Sequence, residues 1–200
     1  MDSMTIDGRR LRGDASRRVV MQRAVDIASV DGLAGLSIGG LASETGMSKG
    51  GVVALFGSKE QLQLATVEAA RQIFTHTVIR PALTQPSGMP RLRALIDNWI
   101  NYSESRVFSG GCFFAAASAE VGSQHGAVRD AVAAAMTDWT EFIAGAVSRA
   151  VDRDDLPEST DPAQLAFEIT AILDGANRSS LLHDSAAPYA RARTALGAYL

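Results

Sequence analysis

Apolar residues recur at three- and four-residue spacing along most of the chain, without the alternation that marks strands. In the first such segment, Val20 and Ala24 fall on one face of a helix that the pattern places over residues 17–30. Asp31 and Gly32 follow, and a glycine just past the last periodic residue commonly ends a helix. The pattern predicts an all-α protein.

Beyond residue 60 the same period continues in six segments that are separated by proline- and glycine-containing turns. The predicted helices cover residues 61–83, 90–108, 112–121, 128–151 and 162–182, and the last begins at Pro188. Asp161 is a suitable N-cap for one of them, because Pro162 then occupies the first helical position. With three shorter helices before residue 60, the chain is predicted to contain about nine helices.

Residues 38–56 carry the pattern of two short helices that cross through a tight turn. Gly46 lies at the turn, where a backbone of positive φ favours glycine. Ser37 and Ser48 are suitable N-caps for the two helices. The apolar positions that would face a common core are Leu41, Met47, Val52 and Leu55. This helix-turn-helix arrangement can place its second helix in the major groove of DNA.

The segment LSIGGLASETGMSKGGVVALFGSKEQL resembles the TetR family of transcriptional regulators. The matching residues are Ser37, Ile38, Leu41, Ala42, Gly46, Ser48, Gly50, Phe56, Lys59 and Leu62. Val53 and Leu55 stand where the family usually has aromatic or histidine residues, so the backbone contacts of those side chains are not carried over. The resemblance implies a DNA-binding domain followed by a larger helical domain for ligand binding and dimerisation.

Three regions follow from the pattern and the resemblance. Residues 1–14 are expected to be a flexible basic arm, residues 15–59 the helix-turn-helix domain, and residues 60–200 the ligand-binding and dimerisation domain. The net charge of −3 conceals an asymmetry, because residues 1–59 hold eight Lys/Arg against six Asp/Glu, whereas residues 60–200 hold eleven against sixteen. The basic arm would follow the phosphate backbone or enter a minor groove, or it would be a solubilising tail.

Few side chains of the predicted recognition helix can read bases, and Lys49 is its one strong donor. Gly50 and Gly51 permit close approach to the duplex, although crowding against Met47 would also explain them. Lys59 corresponds to a phosphate contact in the family, with a solvated surface lysine as the alternative. The predicted DNA contacts are Arg17, Arg18, Ser37, Thr45, Ser48, Lys49, Gly50, Gly51, Val53 and Lys59.

The C-terminal domain contains the aromatic side chains from which a ligand cavity between helices is typically built. The predicted ligand contacts are Trp99, Tyr102, Phe108, Phe113, Phe114, Glu120, Met136, Trp139 and Asn177. Each aromatic residue has core packing as its alternative role. Glu120 follows an apolar run, so its carboxylate is either ligand-facing or held structurally, by helix capping or by Arg129.

A palindromic operator with two half-sites requires a homodimer. In the family the last two helices form the interface. The predicted interface residues are Phe167, Thr170, Ala171, Asp174, Arg178 and Ala195. The opposite stripe on the same helix comprises Leu165, Ile169, Ile172, Leu173 and Ala176, and periodicity does not decide which stripe faces the partner.

Cys112 is the single cysteine, which leaves no disulfide and, with three histidines, no zinc framework. No cofactor or metal is expected. Three other functions stay open: a thiol-based redox sensor acting through Cys112, a helical enzyme using Cys112, Glu120 and His125, and a scaffold. No apolar run reaches 18 residues and no secretory signal precedes the first helix, so a cytoplasmic protein without a membrane partner is expected.

The favoured function is a ligand-responsive transcriptional regulator. Its partners would be a double-stranded DNA operator, a second copy of the chain and a small hydrophobic or amphipathic effector. It would act as a repressor that the effector releases from its operator, because the ligand shifts the population toward a spacing of the two DNA-binding domains that no longer fits both half-sites.

Overall fold

The computed structural model describes the backbone of residues 3–198 and the side chains of residues 16–198. Within that part the protein is all-helical, with nine helices and no strand, which confirms the predicted fold class. The helices are α1 (Ser3–Gly35), α2 (Ile38–Thr45), α3 (Lys49–Phe56), α4 (Lys59–Phe74), α5 (Met89–Glu104), α6 (Phe113–Val121), α7 (Ala127–Val151), α8 (Pro162–His183) and α9 (Ala187–Gly197). A π-helical segment (Thr75–Ile79) and a last turn (Arg80–Ala82) prolong α4.

Helix α1 is longer than the periodicity predicts at both ends. Its backbone is helical from Ser3, where a flexible arm over residues 1–14 is expected; residues 9–16 contain no proline that would end a helix. The side chains of the predicted arm lie outside the described residues. At the other end, Gly32 adopts φ 78° and ψ 167°, so the helix is interrupted where the Asp31-Gly32 pair predicts its end.

The first three helices form the N-terminal head, which is stabilised by two N-caps and one tight turn. Gly46 closes α2 in the left-handed conformation, with φ 66°, as the turn requires. The hydroxyl of Ser37 accepts a hydrogen bond from Gly40 N, and that of Ser48 accepts one from Gly51 N. Leu41 and Val52 are buried between the helices.

Helices α5 to α9 form the body, and α4 packs against both parts because it contacts α1, α3 and α7. A network of perpendicular aromatic rings fills the centre, with Phe74 at 5.4 Å from Tyr102 and 5.1 Å from Trp139 between ring centroids. Asp161 caps α8 as predicted, accepting from Ala163 N and Gln164 N. No helix in residues 3–198 has the length and apolar character that crossing a bilayer demands.

Candidate functional site

Helix α3 presents one face to solvent and buries the other. Val52 and Phe56 are buried, whereas Lys49, Gly50 and Val53 are exposed. The second helix of the helix-turn-helix is therefore open along the face that carries its one strong donor. This geometry allows α3 to enter a groove of the duplex.

The two consecutive glycines of α3 have different surroundings. A Cβ atom built on Gly51 would lie 3.2 Å from Ser48 Oγ and 3.4 Å from Met47 Cε, so crowding within the head accounts for this glycine. A Cβ on Gly50 would meet no atom within 4 Å. Since glycine destabilises a helix by about 1 kcal/mol relative to alanine, Gly50 lacks an explanation within its own chain.

All three hydroxyl groups predicted to contact DNA form a hydrogen bond within the head. Ser37 and Ser48 use their oxygens as N-cap acceptors and keep their O–H free to donate. Thr45 donates its hydroxyl proton to Leu41 O, at 2.6 Å, so this donor is not available to a phosphate.

Two of the predicted phosphate contacts, although exposed, also form hydrogen bonds within the head. Arg17 Nη1 donates to Leu55 O at 2.7 Å, and its guanidinium lies 4.7 Å from the centroid of the Phe56 ring. Lys59 Nζ donates to Ala34 O at 2.6 Å. This bond accounts for a positively charged side chain in the first turn of α4 without a contact to DNA. A phosphate would have to share these donors or replace their present partners.

Glu120 does not line a cavity: it joins the body to the head. Its Oε2 accepts a hydrogen bond from Leu33 N at 2.6 Å, and its Oε1 accepts one from Ala34 N at 2.7 Å. These N–H groups follow the interruption of α1 at Gly32, and the first N–H groups of a helical turn have no acceptor within that turn, so a carboxylate satisfies them as a cap does. The predicted ligand role of Glu120 thus finds no support, and its alternative pairing with Arg129 is not formed, because Arg129 bonds to Asp130.

A second set of contacts joins the loop before α6 to α1. Asp26 Oδ1 accepts from Ser109 N at 3.0 Å, and Ser29 Oγ accepts from Gly110 N at 3.0 Å. The backbone N–H of Ser109 stabilises the carboxylate and lowers the pKa of Asp26. At Gly110 the two chains are so close that a Cβ atom would lie 1.8 Å from Ser29 O, which only glycine allows.

A cavity of about 180 Å³ lies in the body among α4, α5, α6, α7 and α8. Its walls are Arg71, Phe74, Thr75, Ile79, Trp99, Cys112, Phe114, Ala115, Ala135, Met136, Asp138, Trp139, Thr140, Phe142, Thr170 and Asp174. A wider groove of about 700 Å³ between α1 and α4 has mostly exposed side chains as its walls and resembles an open surface rather than an enclosed site.

Four of the nine predicted ligand contacts line this cavity, namely Trp99, Phe114, Met136 and Trp139. Tyr102, Phe108 and Phe113 lie in the aromatic core beside it, with 5.8 Å between the ring centroids of Tyr102 and Phe108. Asn177 is buried, and its Oδ1 already accepts hydrogen bonds from Ser103 Oγ and Cys112 N.

Several residues that line the cavity were not predicted from the sequence. Phe74 and Asp138 carry no signal in the sequence that separates them from ordinary core and surface positions. Thr170 and Asp174, predicted at the dimer interface, line the cavity instead, because α8 is rotated so that this edge of its stripe faces α7. Thr170 and Asp174 are four residues apart, and each directly follows a buried residue, Ile169 or Leu173. This pattern is the signal in the sequence that favours an inward position.

Asp174 is the half-buried carboxylate of the cavity, and no described group donates a hydrogen bond to it. Burial raises its pKa from 3.8 to about 6, and the positive charge of Arg178, one turn further along α8, opposes that shift. The carboxylate is therefore mostly ionised at neutral pH.

Cys112 also lines the cavity, as a protonated thiol. Burial raises its pKa to about 12, so the reactive thiolate is scarce. Glu120, which the enzyme hypothesis uses to orient a base, holds Leu33 and Ala34, and His125 is exposed. The arrangement expected for a cysteine nucleophile is not formed.

The other predicted interface residues of α8 lie on its outer surface. Phe167 is 64% exposed, and Ala171 and Arg178 are exposed too, whereas Leu165, Ile169 and Leu173 are buried in the body. Leu182, which the sequence did not place at the interface, is 77% exposed on the same helix. Ala195 is exposed on α9 in a shallow groove between α8 and α9. An apolar face open on α8 is what a dimer contact requires.

Comparison with known proteins agrees with this geometry. A family model described as the C-terminal domain of tetracycline-repressor-like proteins matches residues 88–196, more than half of the chain. No match was found among curated proteins. Among solved structures, a TetR transcriptional regulator from Chloroflexus aurantiacus J-10-FL is 28% identical, with a TM-score of 0.87 over 94% of this chain and 95% of that one.

Two more distant structures share the fold. A TetR-family regulator from Agrobacterium tumefaciens is 18% identical, with a TM-score of 0.82 over 92% of this chain and 96% of that one. AibR, solved in complex with isovaleryl coenzyme A and operator DNA, is 20% identical, with a TM-score of 0.68 over 82% of this chain and 86% of that one. The match of the family model across the body, together with the helix-turn-helix head, shows that this chain belongs to the TetR family of transcriptional regulators.

Proposed function

We propose that the protein is a homodimeric repressor that binds a palindromic operator in the cytoplasm and leaves it when a small molecule occupies the cavity of the body. The observation that carries the proposal is the position of α6. Phe114 of α6 lines the cavity, and Glu120 of the same helix bonds to the end of α1 in the head. One short helix therefore touches both the ligand site and the DNA-binding head.

The exposed face of α3 supports the DNA-binding part of the proposal. Lys49 and Arg18 are exposed, and neither has an intramolecular hydrogen bond or ion pair among the described residues. Lys49 would read base edges and Arg18 would contact a phosphate. Gly50, Gly51 and Val53 would lie against the duplex, with the Ser37 and Ser48 hydroxyls donating to phosphates.

The α6 contacts support the response to ligand. If a ligand displaces Phe114, the nine-residue helix transmits that shift to Glu120, because a helix moves as a rigid rod over two turns. Leu33 and Ala34 would follow, and the two heads of a dimer would change their separation. A coupling of about 1–3 kcal/mol is sufficient to release an operator partly. AibR, solved in complex with isovaleryl coenzyme A and operator DNA, is a protein of this fold that binds both kinds of partner.

The dimer is proposed through α8 and α9, with Phe167, Ala171 and Arg178 of α8 and Ala195 of α9 at the contact. The exposed Phe167 and Leu182 side chains supply the apolar area. Thr170 and Asp174 are left out, since they line the cavity.

Selection of bound duplexes from a random library tests the function. We expect a palindromic consensus, recognised by the full-length chain with a strong dependence of affinity on salt concentration. Recovery of no consensus, together with no duplex bound at low salt, would contradict the proposal and favour the scaffold hypothesis. Small molecules are then screened against the selected operator by fluorescence anisotropy, and release in parallel with binding supports the repressor mechanism.

A further inference from the structure

We infer that the cavity binds a small organic cation, an ammonium group attached to an aromatic or compact alkyl body, with Asp174 as its counter-charge. The inference deepens the proposed function, since it names the chemical class of the effector. It rests on the charge, the hydrogen-bonding capacity, the ring arrangement and the size of the cavity.

The charges of the cavity favour a positive ligand. Three of its residues are charged: Arg71 and Asp138, which are exposed and therefore lie at the opening, and Asp174, which lies deeper. Arg71 is already neutralised by Glu68, at 2.8 Å, and is influenced further by Asp138. Asp174 has only the more distant charge of Arg178 and no hydrogen-bond donor. A half-buried carboxylate in this state gains most from a ligand that brings its own positive charge.

Two of the three threonine hydroxyls that line the cavity have no spare proton to donate. Thr170 Oγ1 donates to the carbonyls of Ala166 and Phe167, and Thr140 Oγ1 donates to Met136 O. The hydroxyl protons are used within their own helices, so the oxygens offer lone pairs to the cavity. The Cys112 thiol is neutral. An ammonium ligand, which has only protons to donate, matches these acceptors.

The aromatic rings complete the arrangement. Phe74 stands nearly perpendicular to Trp139, at 82°, and to Phe114, at 88°, with centroid distances of 5.1 and 6.1 Å. These rings line the cavity, and an ammonium group that lies over the face of one of them gains a cation–π attraction. Trp99 adds a second indole to the wall.

The size of the cavity limits the ligand. A volume of about 180 Å³ is slightly larger than the roughly 150 Å³ apolar cavity that holds benzene. The expected ligand is a single ring with a short side chain, or an alkylammonium of similar volume. A long acyl chain or a nucleotide does not fit without opening the body.

Three probes of nearly equal size separate the possibilities: 2-phenylethylammonium, 2-phenylethanol and phenylacetate. Titration calorimetry at neutral pH with the full-length protein should give a dissociation constant for the ammonium compound at least about tenfold below those of the other two. Asp174→Asn should remove that preference and leave the binding of phenylethanol unchanged. Asp152→Asn, which changes an exposed carboxylate outside the cavity, is the matched control and should alter affinity by less than about threefold.

Equal or tighter binding of phenylethanol or phenylacetate, or no binding of any probe, would overturn the inference. The comparison of the three probes needs only the native protein, so it decides the question even if the Asn variant does not fold. The operator assay separates this inference from the proposed function. If a neutral probe released the operator, the cationic effector would be contradicted and the repressor function supported. If the ammonium compound bound tightly without releasing the operator, the cation site would be supported and the repressor mechanism contradicted.

Discussion

Glu120 and Leu33 are 87 residues apart in sequence, and Glu120 Oε2 accepts the Leu33 N–H at 2.6 Å. A second oxygen of the same carboxylate accepts the N–H of Ala34. Through this pair of bonds, the C-terminal end of α6 caps the end of α1 and joins the body to the head.

Glu120→Ala should lower the free energy of unfolding by about 1–3 kcal/mol, because two backbone N–H groups lose a charged acceptor. Chemical denaturation measures this loss. In the same variant, ligand-induced release from the operator should weaken while ligand affinity is retained. Glu158→Ala, which removes an exposed glutamate elsewhere, should change neither quantity. Unaltered release in Glu120→Ala would exclude this contact from the coupling.

Gly50→Ala should separate stability from DNA binding. A Cβ at this position meets no atom of the protein, so the variant should be more stable by about 0.5–1 kcal/mol. Its affinity for the operator should nevertheless fall, since the methyl group would lie between α3 and the duplex. Gly145→Ala in α7 is the control, because its Cβ also meets no atom and it is remote from the head. Equal operator affinities for both variants would show that Gly50 does not approach DNA.

Lys49 and Lys59 should respond differently to replacement by alanine. Lys49→Ala should leave stability within about 0.5 kcal/mol of the native value, weaken specific binding and relax base preference at one position of each half-site. Lys59→Ala should lower stability, because Lys59 Nζ bonds to Ala34 O. If Lys59 also contacts a phosphate, affinity for all sequences and the salt slope decrease together. Thermal denaturation and binding at several salt concentrations measure both effects.

Asp174→Asn should stabilise the protein in a pH-dependent manner. The folded-state pKa of about 6 lies above the unfolded value of 3.8, so ionisation of Asp174 costs stability progressively as pH rises between these values. The variant cannot ionise and avoids that cost, which is about 1–3 kcal/mol above pH 6. The difference in Tm between variant and native protein should therefore be small near pH 4 and grow toward pH 7. A constant difference would show that Asp174 is not held in a desolvated position.

Phe167→Glu should dissociate the dimer without unfolding the subunit. The side chain is 64% exposed, so the substitution removes little from the core of its own subunit. We expect the dimer dissociation constant to rise by at least about tenfold, measured by analytical ultracentrifugation. Leu83→Glu, at another exposed apolar position, is the control. If both variants remain dimeric, the interface lies elsewhere.

The helices and the helix-turn-helix can be predicted from the amino-acid sequence, because their signals are local. Ser48 caps α3 by bonding a residue three positions away, and Gly46 needs only its own backbone conformation to form the turn. The family resemblance depends on the same short-range residues. The break at Gly32 likewise follows from the glycine after Asp31.

Which side chains face the cavity, the head and the solvent depends on how the helices pack against one another. Periodicity places Thr170 and Asp174 on a stripe with Phe167, but the rotation of α8 against α7 turns two of them inward and leaves the third exposed. Glu120 has no local signal for its bonds to α1, since its partners lie far away in the chain. Such contacts depend on how whole helices pack against one another. This packing depends on all the buried residues together.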